Sequence, residues 1–298
     1  MKLATRVGLA ACVALGAIVP ASANHSWSNY RWGRTSNPVQ LRINSAVTGT
    51  WSTYVNIAIN EWDASSKLDL KTFAPRSVSV SRKQCSPIPN EVLDCNDSYG
   101  KRGWLGIASV WLSGGRIAQA TTKLNDSYFS MPQYSSQGWR RLVTCQEIGH
   151  DFGLAHQDEN FTNPNLGSCM DYTNFPDNPG TGGEPNNWSP DSHDMAQLDT
   201  IYGGALDGTS TDTRVVSTNF GVREVGKPAA SPRSLPREGA GDTAAEWGGA
   251  VHRDGQGRPD QFVRRFSDGT IMITHVLWTP DAKGTEAGPV HEGDGHTH

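Results

Sequence analysis

Residues 146–156 read QEIGHDFGLAH, and this run holds the side chains best suited to chemistry at a divalent ion. Gln146 and His150 stand four apart, about one helical turn, so both project from one face and can converge on one cation. Glu147 sits beside them, offset enough to reach an open coordination position rather than to ligate. Gly153 lets the chain turn sharply, after which His156 can approach the same ion from outside the helix. Three protein ligands leave one position for water, whose pKa zinc lowers toward ~7, and a carboxylate at hydrogen-bond distance can take its proton. The resulting nucleophile suits amide hydrolysis. Gln146 is the unusual member, because an amide oxygen is a harder and weaker donor than imidazole. It lowers affinity, yet leaves the ion more electrophilic.

The elements around this run must hold it still. Trp139, Leu142, Val143, Gln146 and His150 recur with helical periodicity, so a helix is expected over 138–153, ended by Gly153. Val39, Leu41 and Ile43 alternate with polar residues as in a half-buried strand. Trp51, Val55, Ile59 and Trp62 then give one apolar face of a helix over 51–65 behind Thr50. A second strand is read at Val78 and Val80. Two apolar runs, 105–112 and 117–124, flank Ser113, Gly114 and Gly115 as a strand pair joined by a glycine turn. Ser189, Pro190 and Asp191 start a last helix whose apolar stripe is Met195, Leu198, Ile201 and Tyr202, with the cap placed before the proline. The first folded unit therefore ends near Ala205.

The chain has 298 residues, a 36% hydrophobic share and a formal net charge of −4. That is enough apolar sequence for a real core, and the charge pattern offers no surface for nucleic acid. Lys2 and Arg6, the small apolar run 7–19 and Ala21-Ser22-Ala23 form a signal segment cleaved after Ala23. The apolar run is shorter than the ~20 residues that cross a bilayer, and no other segment suggests a span. The chain is thus expected outside the cell, or in the periplasm of a Gram-negative host. Cys12 leaves with the signal. Cys85, Cys95, Cys145 and Cys169 allow three pairings, of which local closure favours Cys85 with Cys95 and Cys145 with Cys169. The second bridge is worth ~3 kcal/mol in the chain-entropy view.

Residues 146–156 resemble the motif of the metzincin zinc endopeptidases, HExxHxxGxxH, at every position but the first histidine. Ser168-Cys169-Met170-Asp171-Tyr172 is similar to the methionine turn of that superfamily, with Met170 beneath the metal. The resemblance spans residues 39–202, and the terminal SPDSHDMAQLDTIY helix looks like that of matrixins. It implies an α+β fold: a mixed twisted sheet with an active-site helix, a methionine turn and a C-terminal helix. It implies a zinc metalloendopeptidase with Gln146, His150 and His156 as metal ligands and Glu147 as general base. Tyr172, matching a tyrosine that astacin-like and serralysin-like members place near the metal, would stabilise the oxyanion; packing with a hydrogen-bonded hydroxyl explains it equally well. The strand around residues 107–111 would act as an edge that pairs with an extended peptide or protein substrate. Gln157, following the third histidine, is neither the serine usual in matrixins nor the glutamate of astacins.

The expected organisation is a signal peptide (1–23), a metzincin-like catalytic domain (24–205) and a tail (206–298). In that tail, 206–245 reads as a linker, 261–266 and 270–278 as a small β-hairpin appendage around Ser267-Asp268-Gly269, and 291–298 as a disordered end with histidines. A monomer is expected. His193, His252 and His275 stand without comparable neighbours and read as solvated or structural. Asp158, Glu159 and the pairs Asn96-Asp97 and Asn125-Asp126 could bind structural calcium, or simply shape turns. Two readings compete with a peptidase: an inactive scaffold of the same architecture that binds peptide or protein, and a metal binder acting through its terminal histidines.

Overall fold

The computed structural model describes residues 25–27, 30–73, 82–177, 185–207, 217–218, 222–223 and 239–282. The alternation at Val39, Leu41 and Ile43 forms strand β1 (Val39–Ser45), with all three side chains buried. Helix α1 (Trp51–Trp62) turns Trp51, Val55, Ala58, Ile59 and Trp62 inward, as one apolar stripe requires. It carries the chain across to β2 (Leu68–Phe73), parallel to β1. On the other side of β1 comes β3 (Val92–Asp97), then β5 (Arg116–Asn125), both parallel to it. β4 (Trp104–Ser113) closes back antiparallel to β5. Gly114 and Gly115 between them have φ of 59° and 75°, the positive values that a tight hairpin turn demands. A short helix α2 (Asp126–Phe129) follows β5, with Asn125 accepting the Ser127 amide as its cap.

Helix α3 (Gln137–Asp151) begins at Ser136, whose hydroxyl accepts the Trp139 amide. It packs against α1: the Trp62 indole donates to Cys145 O at 3.0 Å. Gly149 is required at the contact, since a Cβ there would stand 2.7 Å from both Met170 Sδ and the Trp62 ring. Disulfides join Cys85 with Cys95 and Cys145 with Cys169, the pairing that local closure favoured. Helix α4 (Ser192–Tyr202) starts two residues later than the sequence suggests. Its cap is Asp191, not Ser189, because Asp191 accepts the His193 and Asp194 amides while Asp194 accepts the Asp191 amide in return, a reciprocal cap that lone Ser189 could not provide.

The largest departure lies beyond residue 205. After a two-residue ladder of β6 (Ser217–Thr218) and β7 (Val222–Arg223) and a turn of helix α5 (Ala244–Trp247), three strands follow: β8 (Gly249–Arg253), β9 (Pro259–Arg265) and β10 (Ile271–Trp278). The 259–278 segment is the hairpin expected around Gly269, but it is not an appendage. β10 pairs antiparallel with β4 from Ile271 opposite Leu112 to Trp278 opposite Trp104. One eight-stranded sheet results, in the order β2-β1-β3-β5-β4-β10-β9-β8. The reason is visible in β4, buried from Trp104 through Leu112: a strand apolar on both faces needs cover on both faces. On one face β4 and β10 send Leu105, Val110, Leu112, Ile273 and Leu277 into the main core with α1 and α3. On the other, Trp104, Ile107 and Trp111 meet Trp247, Phe262, Met272, Val276 and Trp278 in a second core. The expected signal segment, the strand at Val78 and Val80, the terminal histidines and most of 206–245 lie outside the described residues. Among the described residues no helix is long and apolar enough to cross a membrane.

The segment following the expected signal also belongs to the fold. Trp27, Tyr30 and Trp32 are buried, and the Trp32 indole donates to Asp151 O at 2.8 Å. Asp207 ties this segment to β5. It accepts Arg31 at 2.6 and 2.8 Å, Arg116 at 2.9 Å and the Arg34 amide at 2.9 Å. Partial burial opposes its charge, but these donors outweigh that and hold its carboxyl well below the usual carboxylate range. A depressed carboxyl stabilises the fold above its unfolded pKa of ~3.9 and loses that contribution as pH falls through the folded value. Asp207→Asn is therefore expected to lower stability by about 1–2 kcal/mol at neutral pH. The gap from the parent should shrink as pH drops below about 4, as urea melts across pH would show.

Candidate metal centre

Helix α3 and the turn after it deliver two imidazoles to one point. Gly153, at φ 95°, reverses the chain, and the Leu154 carbonyl then lies 2.8 Å from His150 Nδ1. His156 Nδ1 faces Glu159 Oε1 at 3.2 Å and Asp260 Oδ2 at 3.8 Å. With each Nδ1–H directed at an oxygen, each Nε2 keeps its lone pair. Those two Nε2 atoms face each other at 3.1 Å. Two lone pairs so opposed repel, and a cation beside both converts the repulsion into ligation. Tetrahedral zinc with Zn–N near 2.0–2.1 Å sets its ligand atoms roughly 3.3 Å apart, so the donors fit such an ion. Carboxylates placed as Glu159 and Asp260 are behind His156 are of the kind that orient a metal-binding imidazole. Burial pushes the His150 pKa well below normal, with His156 adding to the effect, which favours the neutral ring that binds metal.

Gln146 is wholly buried on the same helix face. Its Nε2 donates to Cys169 O at 2.9 Å, while Oε1 has no hydrogen-bond partner. The amide nitrogen is thus committed to the Ser168–Tyr172 turn and the carbonyl oxygen is free for a donor or a cation. Met170, in that turn, packs its sulfur under Gly149, and its carbonyl accepts the Gln157 amide. Glu147 is also wholly buried, under β4. Gly106 makes room for it, because a Cβ there would come within 2.5 Å of Glu147 Oε1. Burial pushes the Glu147 pKa well above the usual range, with the Ala108 amide opposing in part.

Tyr172 lies against His156, ring centroids 4.1 Å apart, and stacks on Phe161 at 4.6 Å. Its hydroxyl donates to Asp260 Oδ2 at 3.1 Å. Asp260, the second residue of β9, also holds His252 Nδ1 at 2.8 Å, and that contact raises the His252 pKa. The tyrosine is therefore a packed aromatic with a satisfied hydroxyl, set against the His156 ring rather than pointing at open space.

His275, which the sequence offers as solvated or structural, stands beside the pair of His150 and His156. It is neither solvated nor remote: it is buried, with its ring 4.3 Å from that of His150 and 5.5 Å from that of His156. Ligand atoms of His150, His156 and His275 all lie within 4.8 Å of one another. The available signal was position, since Ile271, Ile273, His275 and Leu277 alternate along one strand and His275 takes an inward place between apolar neighbours. His193 instead stacks on His25 at 4.8 Å, and Asp158 caps a turn through the Asn160 amide. Neither joins the cluster.

Two further expectations change. The calcium reading finds no support: Asn96 is bonded to Asp126 and to the Thr48 amide, Asn125 caps α2, Asp97 accepts the Ser98 amide, and Glu159 serves His156. These side chains shape turns and orient a histidine. β4 is no edge either, for it is hydrogen-bonded to β5 on one side and β10 on the other. A groove near the start of α3, lined by Tyr134, Trp139, Phe175 and Pro280 among others, includes none of the clustered histidines.

No family model and no curated protein matches the chain. Among solved structures, that of myroilysin aligns at 11% identity and a TM-score of 0.35, covering 61% of this chain and 100% of the other. The high choriolytic enzyme 1, a hatching enzyme zinc-protease from Oryzias latipes (medaka fish), aligns at 11% identity and a TM-score of 0.32, covering 59% and 96%. At such values the functional reading stands on the side chains described above.

Proposed function

We propose that this chain is an exported zinc-dependent endopeptidase. The observation that carries the reading is the pair of opposed Nε2 atoms of His150 and His156, 3.1 Å apart with both Nδ1 atoms engaged, one helical turn from Glu147. His150, His156 and the free Oε1 of Gln146 would hold the ion, which when bound supplies a Lewis acid and acidifies a water molecule. Glu147 would take the proton from that water and return it to the leaving amine. Tyr172 would stabilise the developing oxyanion once its hydroxyl leaves Asp260. The substrate is an extended peptide or unfolded protein.

A second reading, a scaffold that binds peptide or protein without cleaving it, is favoured by one feature. Glu147, Tyr172 and the side chains of all three clustered histidines are buried, and β4 offers no free edge. Purified mature protein decides between them through zinc content and chelator-sensitive cleavage of an unfolded protein. One zinc per chain with cleavage that returns on adding zinc is expected; zinc without cleavage favours the scaffold. Gln146→His is expected to raise zinc affinity at least about tenfold, as imidazole replaces a weaker amide donor. Unchanged affinity would remove Gln146 from the ligand set.

A further inference from the structure

The C-terminal hairpin brings a third imidazole to the point where His150 and His156 already converge. β10 is held in register on both sides, by β4 and by β9, with His275 opposite Ala108 and Gln261. Ala108 and Gly106 are small and lie on the face that carries His275, so the ring and the Glu147 carboxylate both fit beneath β4. Trp27 stacks on the His275 ring at 3.2 Å and on that of His150 at 5.0 Å, closing the cluster from the N-terminal side. Neither His275 nitrogen has a hydrogen-bond partner, although the residue is only 3% exposed. An imidazole buried with two unsatisfied nitrogens is costly unless something pairs with it.

We propose that His275 is a ligand of the same metal ion, supplying the third imidazole of the centre. The proposal rests on the metal site of the preceding reading but not on hydrolysis. It gives the absent first histidine of the helical motif a physical substitute: the strong nitrogen donor comes from β10, more than a hundred residues along the chain. Gln146 Oε1 is left as the weakest of four donors and the one that gives way most easily to water. A centre of three imidazoles and one carboxamide is suited to zinc or a neighbouring divalent transition metal rather than to calcium.

The test uses the full mature chain. X-ray absorption of the zinc-loaded parent should count three imidazoles, and two would overturn the proposal. His275→Phe keeps the aromatic stack on Trp27 and removes both nitrogens. By competition with a chromophoric chelator it should bind zinc on the order of 100-fold more weakly or worse, and its cobalt-substituted form should show an altered visible spectrum. His193→Gln should change neither. In the metal-free state the urea midpoint of His275→Phe should equal or exceed that of the parent, because two unpaired buried nitrogens are gone. A merely structural histidine would leave zinc affinity and the cobalt spectrum unchanged, and that result, or a parent that binds no zinc, overturns the proposal. Loss of zinc in His275→Phe alongside a parent that cleaves nothing would leave the ligand assignment standing and remove the peptidase reading alone.

Discussion

Glu147→Gln is expected to lower cleavage of an unfolded protein by about 10²- to 10⁴-fold while the chain keeps its zinc. Glutamine occupies almost the same volume, which matters under β4, where a Cβ at position 106 would already come within 2.5 Å of Glu147 Oε1. The substitution therefore removes the ability to accept a proton and little else. Because Glu147 is one residue from Gln146 and on the same helix as His150, a packing disturbance would reach the proposed ligands too. Zinc content is the control that separates the two effects. Cleavage at the parental rate would end the assignment of Glu147 as base. A parallel fall in zinc and rate would mean that the side chain acts by holding the helix in place.

The parts of the molecule legible in the sequence are those fixed by neighbours in the chain. The helix at 137–151, the turn at Gly153, the β4–β5 hairpin at Gly114-Gly115 and the two disulfides all depend on residues within about 25 positions. Their periodicities and turn residues are local signals, and the structure follows them. What escaped is non-local. His275 joins His150 across more than a hundred residues, and its role depends on which strand β10 pairs with. A strand rich in apolar residues on both faces, such as 104–112, reads the same at an edge as in a sheet interior, because periodicity reports burial of faces and is silent about hydrogen-bonding edges. The irregular composition of 206–245 also separated the hairpin from the rest in sequence, so the strands appeared detached although they complete the sheet. Tyr172 and Asp260 show the same limit: the spacing to Met170 points to the tyrosine, whereas its acceptor lies 88 positions away.

Truncation after Ala205 is expected to abolish folding rather than release an active catalytic unit. The cut removes β8, β9 and β10 and opens the whole length of β4, from Trp104 to Leu112, along an unpaired hydrogen-bonding edge. It also uncovers Trp104, Ile107 and Trp111 on one face and withdraws Ile273 and Leu277 from the main core on the other. At about 1.5–3 kcal/mol for each large apolar side chain returned to water, the three β4 residues alone account for roughly 5–9 kcal/mol. That is comparable to the entire stability of an ordinary domain, about 5–15 kcal/mol. Loss of Asp207 in the same cut frees Arg31 and Arg116 from their shared carboxylate. The exposed strand is long and largely apolar, the kind of edge that pairs with other copies. The truncated chain should therefore aggregate or show no cooperative urea transition. A soluble, cooperatively folding 24–205 fragment would show that the sheet closes without β10, and that the C-terminal strands are a separable layer laid on a self-sufficient fold.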